Sequence, residues 1–194
     1  MGQRLNIEIK KKDKVLANCY YHWSGYSQTS LDLTKKIIDG FDKYKDENND
    51  VLKAIKLLQE TEAGLTREAI HYLYKNIENF DISTGTKGMF GTYDYILVRN
   101  RNDGLLEITE EGMEENRKWE EGRITINIDE QTFDFDVLYH AHYEDEVEKY
   151  SNYDGELKNI PFNKIDEFIE TVNTIIETTN GYFKIGDEAY WLIN

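Results

Sequence analysis

The sequence predicts an α+β fold, with an antiparallel sheet built from hairpins and about four helices packed on it. Four pairs of strand-like segments, each pair separated by turn-forming residues, indicate four hairpins. Four other segments carry apolar residues at helical spacing, three of them in the first half of the chain. The 194 residues contain no internal repeat and no linker rich in proline or serine, which favours one domain spanning residues 1–194.

The first hairpin is predicted at the start of the sequence. Residues 3–10 alternate between apolar and polar side chains, with Leu5, Ile7 and Ile9 on one face, as in a strand with one buried side. A lysine-rich turn follows, and residues 15–23 form a second strand that is rich in aromatic side chains. The two strands are expected to pair with each other.

Three helices are predicted next. Either Thr29 or Ser30 can cap a helix that runs to about Lys45 and carries apolar residues in helical phase. A second helix is expected over about 50–62. A third begins at Thr66, where the residues TREA suit a helix start.

From residue 92 onwards the apolar pattern changes to a period of two. Residues 92–100 and 105–109 flank an Asp-Gly pair and predict a hairpin, because Asp-Gly readily adopts the positive φ of a tight turn. Residues 123–129 and 132–139 predict another hairpin, with the isoleucines of the first strand facing the phenylalanines of the second.

The last part of the chain predicts a loop, a helix and a final hairpin. Residues 144–160 are polar and are expected to form the loop. Pro161 precedes a helix over about 163–179, where six apolar residues are in phase. A turn at Gly186 and Asp187 predicts the C-terminal hairpin.

Composition excludes several classes of protein. Aromatic residues make up 13% of the chain, which is too many for a chain disordered throughout. Cys19 is the only cysteine, so an internal disulfide is impossible and a reducing compartment such as the cytoplasm is expected. No apolar run approaches the roughly 20 residues that cross a bilayer, so no membrane association is expected.

The negative charge is concentrated in one half of the sequence. The formal net charge is −15, but residues 1–100 have a net charge of +1 and residues 101–194 one of −16. Such asymmetry predicts a partner with a basic surface and argues against direct binding of nucleic acid, whose phosphates require lysine and arginine. The alternative is that the charge serves only solubility.

The acidic residues around the predicted strand 132–139 give the most specific hypothesis. Asp134 and Asp136 are expected to point outward from one strand, about 6.8 Å apart at about 3.4 Å per residue. Phosphates along one DNA strand repeat every roughly 3.4 Å of helix axis, so this row could enter the basic groove of a protein that acts on nucleic acid. The predicted contacts are Asp134, Asp136, Glu144, Asp145, Glu146 and Glu148.

Two weaker patterns concern metal binding and catalysis. His140 and His142 lie on one face of a predicted strand with Glu144 nearby, a set that could bind zinc but that is also common at ordinary surfaces. Cys19 and His22 are three residues apart, which on a strand points them to opposite faces and is wrong for a nucleophile and its base. No catalytic residue, metal site or cofactor is therefore predicted.

A nucleotide-binding function is the alternative hypothesis. Tyr21 and Trp23 belong to an aromatic cluster that could stack on a base, and Lys87 lies in a glycine-containing loop that could hold a phosphate. The loop lacks the order of residues of a P-loop. The chain would then sequester a nucleotide second messenger.

Three segments resemble a group of known sequences. MGQRLNIEI, VLANCYYHWSGYS and NRNDGLLEITEEGMEENRKWEEG are similar to small uncharacterised proteins of phages and prophages from low-GC Gram-positive bacteria. The resemblance brings no catalytic motif with it. It implies a phage origin, expression in the host cytoplasm and an accessory role.

The resemblance leaves two classes of partner open. Many acidic phage proteins inhibit host defences, including RNA-guided nucleases, by binding the effector, and others sequester nucleotide signals. The leading hypothesis is a non-enzymatic, anti-CRISPR-like inhibitor that binds a basic host protein acting on nucleic acid. The sequence leaves the oligomeric state open.

Overall fold

In the residues that the computed structural model describes, the bounded elements are eleven strands in two sheets, two α-helices and one 3-10 turn. The structure describes residues 3–21, 24–44, 95–98, 106–107, 114, 117–118, 120–141, 147 and 149–194. The helices are α1 (Ser27–Tyr44) and α2 (Ile165–Thr179), and a 3-10 turn at Phe162–Lys164 precedes α2. The strands are β1 (Leu5–Lys11), β2 (Lys14–Tyr21), β3 (Tyr95–Val98), β4 (Leu106–Glu107), β5 (Gly122–Asn127), β6 (Thr132–Asp136), β7 (Leu138–His140), β8 (Ser151–Asn152), β9 (Ile160–Pro161), β10 (Tyr182–Ile185) and β11 (Glu188–Leu192).

Both sheets contain parallel and antiparallel strands. The large sheet has the order β4-β3-β2-β1-β5-β6-β9, and the small sheet has the order β7-β11-β10-β8. Strand β1 runs parallel to β5, β3 runs parallel to β4, and β8 runs parallel to β10. The remaining neighbours are antiparallel.

The predicted fold class is therefore wrong in two respects. The sheets are mixed instead of antiparallel throughout, and the described residues hold two α-helices instead of about four. Alternation of apolar residues specifies which face of a strand is buried but not the direction of its neighbour, so Ile7 can lie opposite Ile124 in a parallel pair. The helices predicted at 50–62 and from Thr66 lie outside the described residues.

Three of the four predicted hairpins are confirmed. Strands β1 and β2, β5 and β6, and β10 and β11 pair antiparallel, and positive φ values at Lys12, Gln131 and Gly186 close their turns. The hairpin predicted over 92–109 is wrong, because β3 and β4 pair in parallel, with Leu97 opposite Leu106. The segment predicted as a loop over 144–160 contains the short strand β8 and the first residue of β9.

Both helices that fall on described residues form, with shifted starts. Helix α1 begins at Ser27 rather than after Thr29 or Ser30, because Ser27 is fixed by contacts with distant residues. Its backbone nitrogen donates to the oxygen of Ile193 at 2.6 Å, and its Oγ donates to the oxygen of Val137 at 2.7 Å. Helix α2 ends at Thr179 and is capped by Asn180, whose left-handed conformation is typical of helix C-termini.

The main core lies between the apolar face of the large sheet and the two helices. From the sheet, Ile7, Ile124 and Phe133 are fully buried. From α2, the ring of Phe168 meets those of Phe133 and Phe135 edge-on, with centroids 5.8 and 5.3 Å apart. Each such buried aromatic side chain contributes on the order of 2–3 kcal/mol through removal of apolar surface from water.

The chain passes from the large sheet to the small sheet at Val137. Strand β6 ends at Asp136 and β7 begins at Leu138, so the single strand predicted over 132–139 is divided between the two sheets. The buried side chain of Val137 fills the space next to Gly122, where an added Cβ would lie 2.9 Å from Val137 Cγ1. In the described part of the chain, neither helix is long and apolar enough to cross a membrane.

Candidate protein-interaction site

Asp134 and Asp136 lie on the same face of β6, as the alternation predicts, but in different surroundings. Asp134 is half-buried, and its Oδ1 accepts a hydrogen bond from the backbone nitrogen of Asn159 at 2.8 Å. Asp136 is exposed and lies opposite Arg123 in the sheet. One carboxylate of the predicted row thus anchors a loop, and the other is available at the surface beside a guanidinium group.

The carboxylates on this face affect the pKa of Arg123. Burial on its own would lower the pKa of Arg123, but a hydrogen bond to Glu120 and the charges of Glu120, Glu8 and Asp136 outweigh it and raise the pKa above its usual value. The exposed end of β6 is therefore less negative than its aspartates alone suggest.

Most of the other residues predicted to bind a partner or ligand lie outside the part of the chain that the structure describes. Glu144, Asp145, Glu146 and Glu148 lie outside the described residues, as do His22, Trp23, Lys87 and His142. Tyr21, the described member of the nucleotide hypothesis, is 2% exposed and belongs to the core. A base could reach its ring only by displacing core side chains, so the position of Tyr21 does not support the nucleotide hypothesis.

The loop after β8 folds against the start of α2 and forms an open groove of about 460 Å³. Tyr153 lies against Phe168, with ring centroids 6.3 Å apart, and its hydroxyl donates to the backbone oxygen of Glu156 at 3.1 Å. Gly155 permits this arrangement, because an added Cβ would fall 2.3 Å from the Tyr153 hydroxyl. The absence of a side chain at residue 155 thus lets the tyrosine fold back over the loop.

The groove combines apolar walls with a charged rim. Phe168, Ile160 and Pro161 contribute apolar surface. The charged side chains are three carboxylates and two ammonium groups, from Asp154, Glu156, Glu167, Lys158 and Lys164. Burial, together with the charges of Glu167 and Glu156, raises the pKa of Tyr153. We call this site the acidic groove.

Two of the groove carboxylates are available to a partner. Lys164 pairs with Glu167 across one turn of the chain. Within the described ranges, neither Asp154 nor Glu156 forms an ion pair, and both are exposed. Asn159, which also lines the groove, donates to Asp134, so the groove is joined to the outer face of β6.

Sequence reasoning missed the acidic groove. The polar pattern of residues 144–160 predicts a loop and does not distinguish the carboxylates at 154 and 156 from their neighbours. The signal that could have found them is local: an aromatic residue, two acidic residues and a glycine lie within four positions, just before the only proline. Clusters of this kind favour a folded loop with exposed charge over a solvated linker.

A second polar site lies on the opposite face of the large sheet from the core. Glu8 is paired there with two cationic side chains, whereas Asn6 Oδ1 and Glu8 Oε2 are buried without a hydrogen-bond partner among the described residues. Glu8 is buried in the middle of β1, and its Oε1 accepts hydrogen bonds from Arg117 Nε at 3.0 Å and Nη2 at 2.8 Å. Lys10 Nζ lies 3.4 Å from Glu8 Oε2. A buried charge is tolerated where it is paired in this way, so these groups serve the fold.

Only His140 of the metal pattern lies on described residues, because His142 and Glu144 lie outside them. The described residues contain no group of three or more histidine, cysteine, aspartate or glutamate side chains that could hold a metal ion. His140 is exposed, with its ring 4.9 Å from that of Tyr190. Cys19 is fully buried in the core, and burial raises the pKa of its thiol, which opposes formation of the reactive thiolate.

Comparison of this chain with protein-family models, with curated proteins and with solved structures finds no match.

Proposed function

We propose that this chain is a non-enzymatic binding protein that docks its acidic groove on a basic surface of a protein acting on nucleic acid. The groove is the single observation that carries this proposal, because it offers both apolar walls and unpaired carboxylates in one concave place. The resemblance of three segments to phage and prophage proteins supports an accessory role in the host cytoplasm, and we propose that the partner is a host defence protein that binding inhibits.

The chemistry of the groove suits a lysine or arginine side chain. Such a side chain has an apolar stem and a charged end, so it can lie along Ile160 and Pro161 while its charge meets Glu156. Asp154 lies two residues away and adds a second exposed carboxylate to the charged rim. Surfaces that bind nucleic acid are rich in these two residue types, because they must neutralise phosphates.

The outer face of β6 extends the proposed contact area. Asp136 is exposed, and Asp134 is joined to the groove through Asn159. Opposite charge on two approaching proteins raises the rate of association, and the effect weakens with ionic strength because the Debye length is only about 10 Å at 0.1 M salt.

The proposal is tested by capture from a nuclease-treated host lysate on the immobilised full chain, followed by elution with increasing salt and mass spectrometry. Nuclease treatment removes nucleic acid that could bridge two proteins. We expect a basic protein that acts on nucleic acid to be retained at low salt and to elute as salt is raised. Retention that does not change with salt would contradict electrostatic docking.

Two charge reversals of equal size locate the contact. Glu156→Lys changes the groove, whereas Asp187→Lys changes the exposed turn between β10 and β11 by the same two units of charge. We expect the first variant to lose the partner and the second to retain it. Equal capture by both variants would show that the groove is not the docking site.

A further inference from the structure

Four aromatic side chains line up across the solvent-facing side of the small sheet. Strand pairing places Tyr139 of β7 opposite Trp191 of β11, and Trp191 opposite Tyr182 of β10. The fourth, Tyr150, directly precedes β8, and its ring centroid lies 6.0 Å from that of Tyr182. We call these four residues the aromatic strip.

The first three rings of the strip are nearly parallel. Tyr139 and Trp191 have centroids 6.0 Å apart and planes 28° apart, and Trp191 and Tyr182 have centroids 6.1 Å apart and planes 25° apart. Tyr139 is the outermost, because β7 is the edge strand of the small sheet as described. It is also 40% exposed, which is unusual for a large aromatic side chain among the described residues.

The strip lies on the opposite side of the sheet from its core. Side chains alternate along a strand, so Phe183 and Leu192, the neighbours of Tyr182 and Trp191, point the other way and are buried. Stability of the sheet is supplied by that buried face. The core of this sheet therefore does not explain why four aromatic residues lie on its other face.

The charges around the strip favour a cation at its Tyr139 end. Glu121 directly precedes Gly122, which packs against Val137, two residues before Tyr139. Its Oε2 accepts a hydrogen bond from the backbone nitrogen of Arg4 at 2.9 Å. Partial burial and the charge of Glu121 raise the pKa of Tyr139. At the other end, Lys184 Nζ lies 4.8 Å from the centroid of the Tyr150 ring. This second contact shows that a ring of the strip already accepts a cation, supplied there by the chain itself.

We propose that the Tyr139–Trp191 end of the aromatic strip binds arginine side chains of the basic partner. A guanidinium group is planar and weakly hydrated, so it stacks on aromatic rings better than an ammonium group does. Glu121 supplies the opposite charge. This inference rests on the proposed function for the basic character of the partner, and it adds a second contact that distinguishes arginine from lysine.

Single-stranded nucleic acid also stacks on aromatic rings, but the charge disfavours it. A strand of nucleic acid would bring phosphates towards Glu121 and towards a chain with a net charge of −15. An arginine-bearing protein segment brings the complementary charge. Tyrosine, tryptophan and arginine are also the residues that most often dominate the energetics of protein interfaces.

The experiment compares two peptides of equal charge, octa-arginine and octa-lysine, by calorimetric titration of the full chain at low salt. We expect octa-arginine to bind about threefold to tenfold more tightly, the range given by a cation–π contact of about 0.7–1.4 kcal/mol. Tyr139→Ala should abolish this preference, and Tyr139→Phe should keep it, because the ring is retained. Tyr139 is exposed enough for both substitutions to leave the fold intact.

The outcomes separate the strip from the groove. The strip proposal is overturned if the two peptides bind equally well, if Tyr139→Ala leaves the preference unchanged, or if an oligothymidine binds more tightly than octa-arginine. Glu156→Lys should weaken both peptides by the same factor and leave their ratio unchanged. If Glu156→Lys does not change the affinity for either peptide and the preference for arginine is retained, the groove proposal is wrong. The strip proposal is then still supported.

Discussion

Asp134 Oδ1 accepts a hydrogen bond from the backbone nitrogen of Asn159 at 2.8 Å, and this contact fixes the groove loop to the large sheet. Asn159 has a positive φ of 54°, a conformation that asparagine tolerates better than most residues. The aspartate that the sequence marked as a partner contact therefore also positions the site next to it. Its structural and electrostatic roles can be separated by substitution.

Substitutions at Asp134 should separate the hydrogen bond from the charge. Asp134→Asn retains an oxygen acceptor and removes the charge, whereas Asp134→Ala removes both. We expect Asp134→Ala to lower the free energy of unfolding by about 1 kcal/mol, the usual net value of one hydrogen bond, and Asp134→Asn to lower it by less. Urea denaturation measures both, and equal losses would show that the acceptor is not what holds the loop.

The buried carboxylate of Glu8 should make Arg117 important for stability. The Glu8 side chain is 1% exposed, whereas that of Arg117 is 37% exposed. Arg117→Met removes the cation that donates two hydrogen bonds to the buried carboxylate and leaves Lys10 and the more distant charge of Arg123. We expect a loss of about 2–3 kcal/mol in the free energy of unfolding.

Glu8→Gln is the matched control for that substitution. It leaves the arginine able to reach water, so its cost should be smaller than that of Arg117→Met. Denaturant unfolding of the two variants under the same conditions compares them. A larger loss in Glu8→Gln would refute the pairing described for this side of the sheet.

The contact between Gly122 and Val137 should behave as a coupled pair. Gly122→Ala places a methyl group 2.9 Å from Val137 Cγ1 in the buried link between the two sheets, and we expect a cost of about 1–3 kcal/mol from overpacking. Val137→Ala removes the methyl groups that collide. The double variant should therefore be more stable than the sum of the two single effects allows, and strict additivity in a double-mutant cycle would contradict the contact.

The thiol of Cys19 should be unreactive in the folded protein. Its side chain is fully buried and burial raises the pKa of the thiol, so both access and thiolate formation are suppressed. We expect negligible reaction with a thiol reagent at neutral pH in buffer and complete reaction in concentrated urea. Rapid reaction in buffer would place this residue outside the core.

The faces of the strands could be predicted from the sequence, but their neighbours could not. The alternation of Ile124 and Ile126 correctly identified the buried side of β5. The same alternation suits a parallel or an antiparallel neighbour, so the parallel pairing with β1 was not predictable from either segment alone. Strands β1 and β5 are more than a hundred residues apart in the sequence, and their pairing depends on the packing of the whole sheet.

The candidate sites depend even more on contacts between distant segments. The acidic groove exists because Tyr153 folds over Gly155 and packs on Phe168 of α2, a contact that no local pattern encodes. Tyr139 and Trp191 each fall in a predicted strand segment, but they align only because β7 and β11 are neighbours in the small sheet. Local patterns predict elements, whereas sites arise from the order of strands and from loop packing.

The central claim, that the acidic groove docks on a basic partner, is tested most directly by association kinetics with the captured partner at two salt concentrations. We expect Glu156→Lys to lower the association rate at least tenfold at low salt, with a smaller difference at high salt, and Asp187→Lys to leave the rate within about twofold. Equal association rates for Glu156→Lys and the unsubstituted chain would contradict the claim.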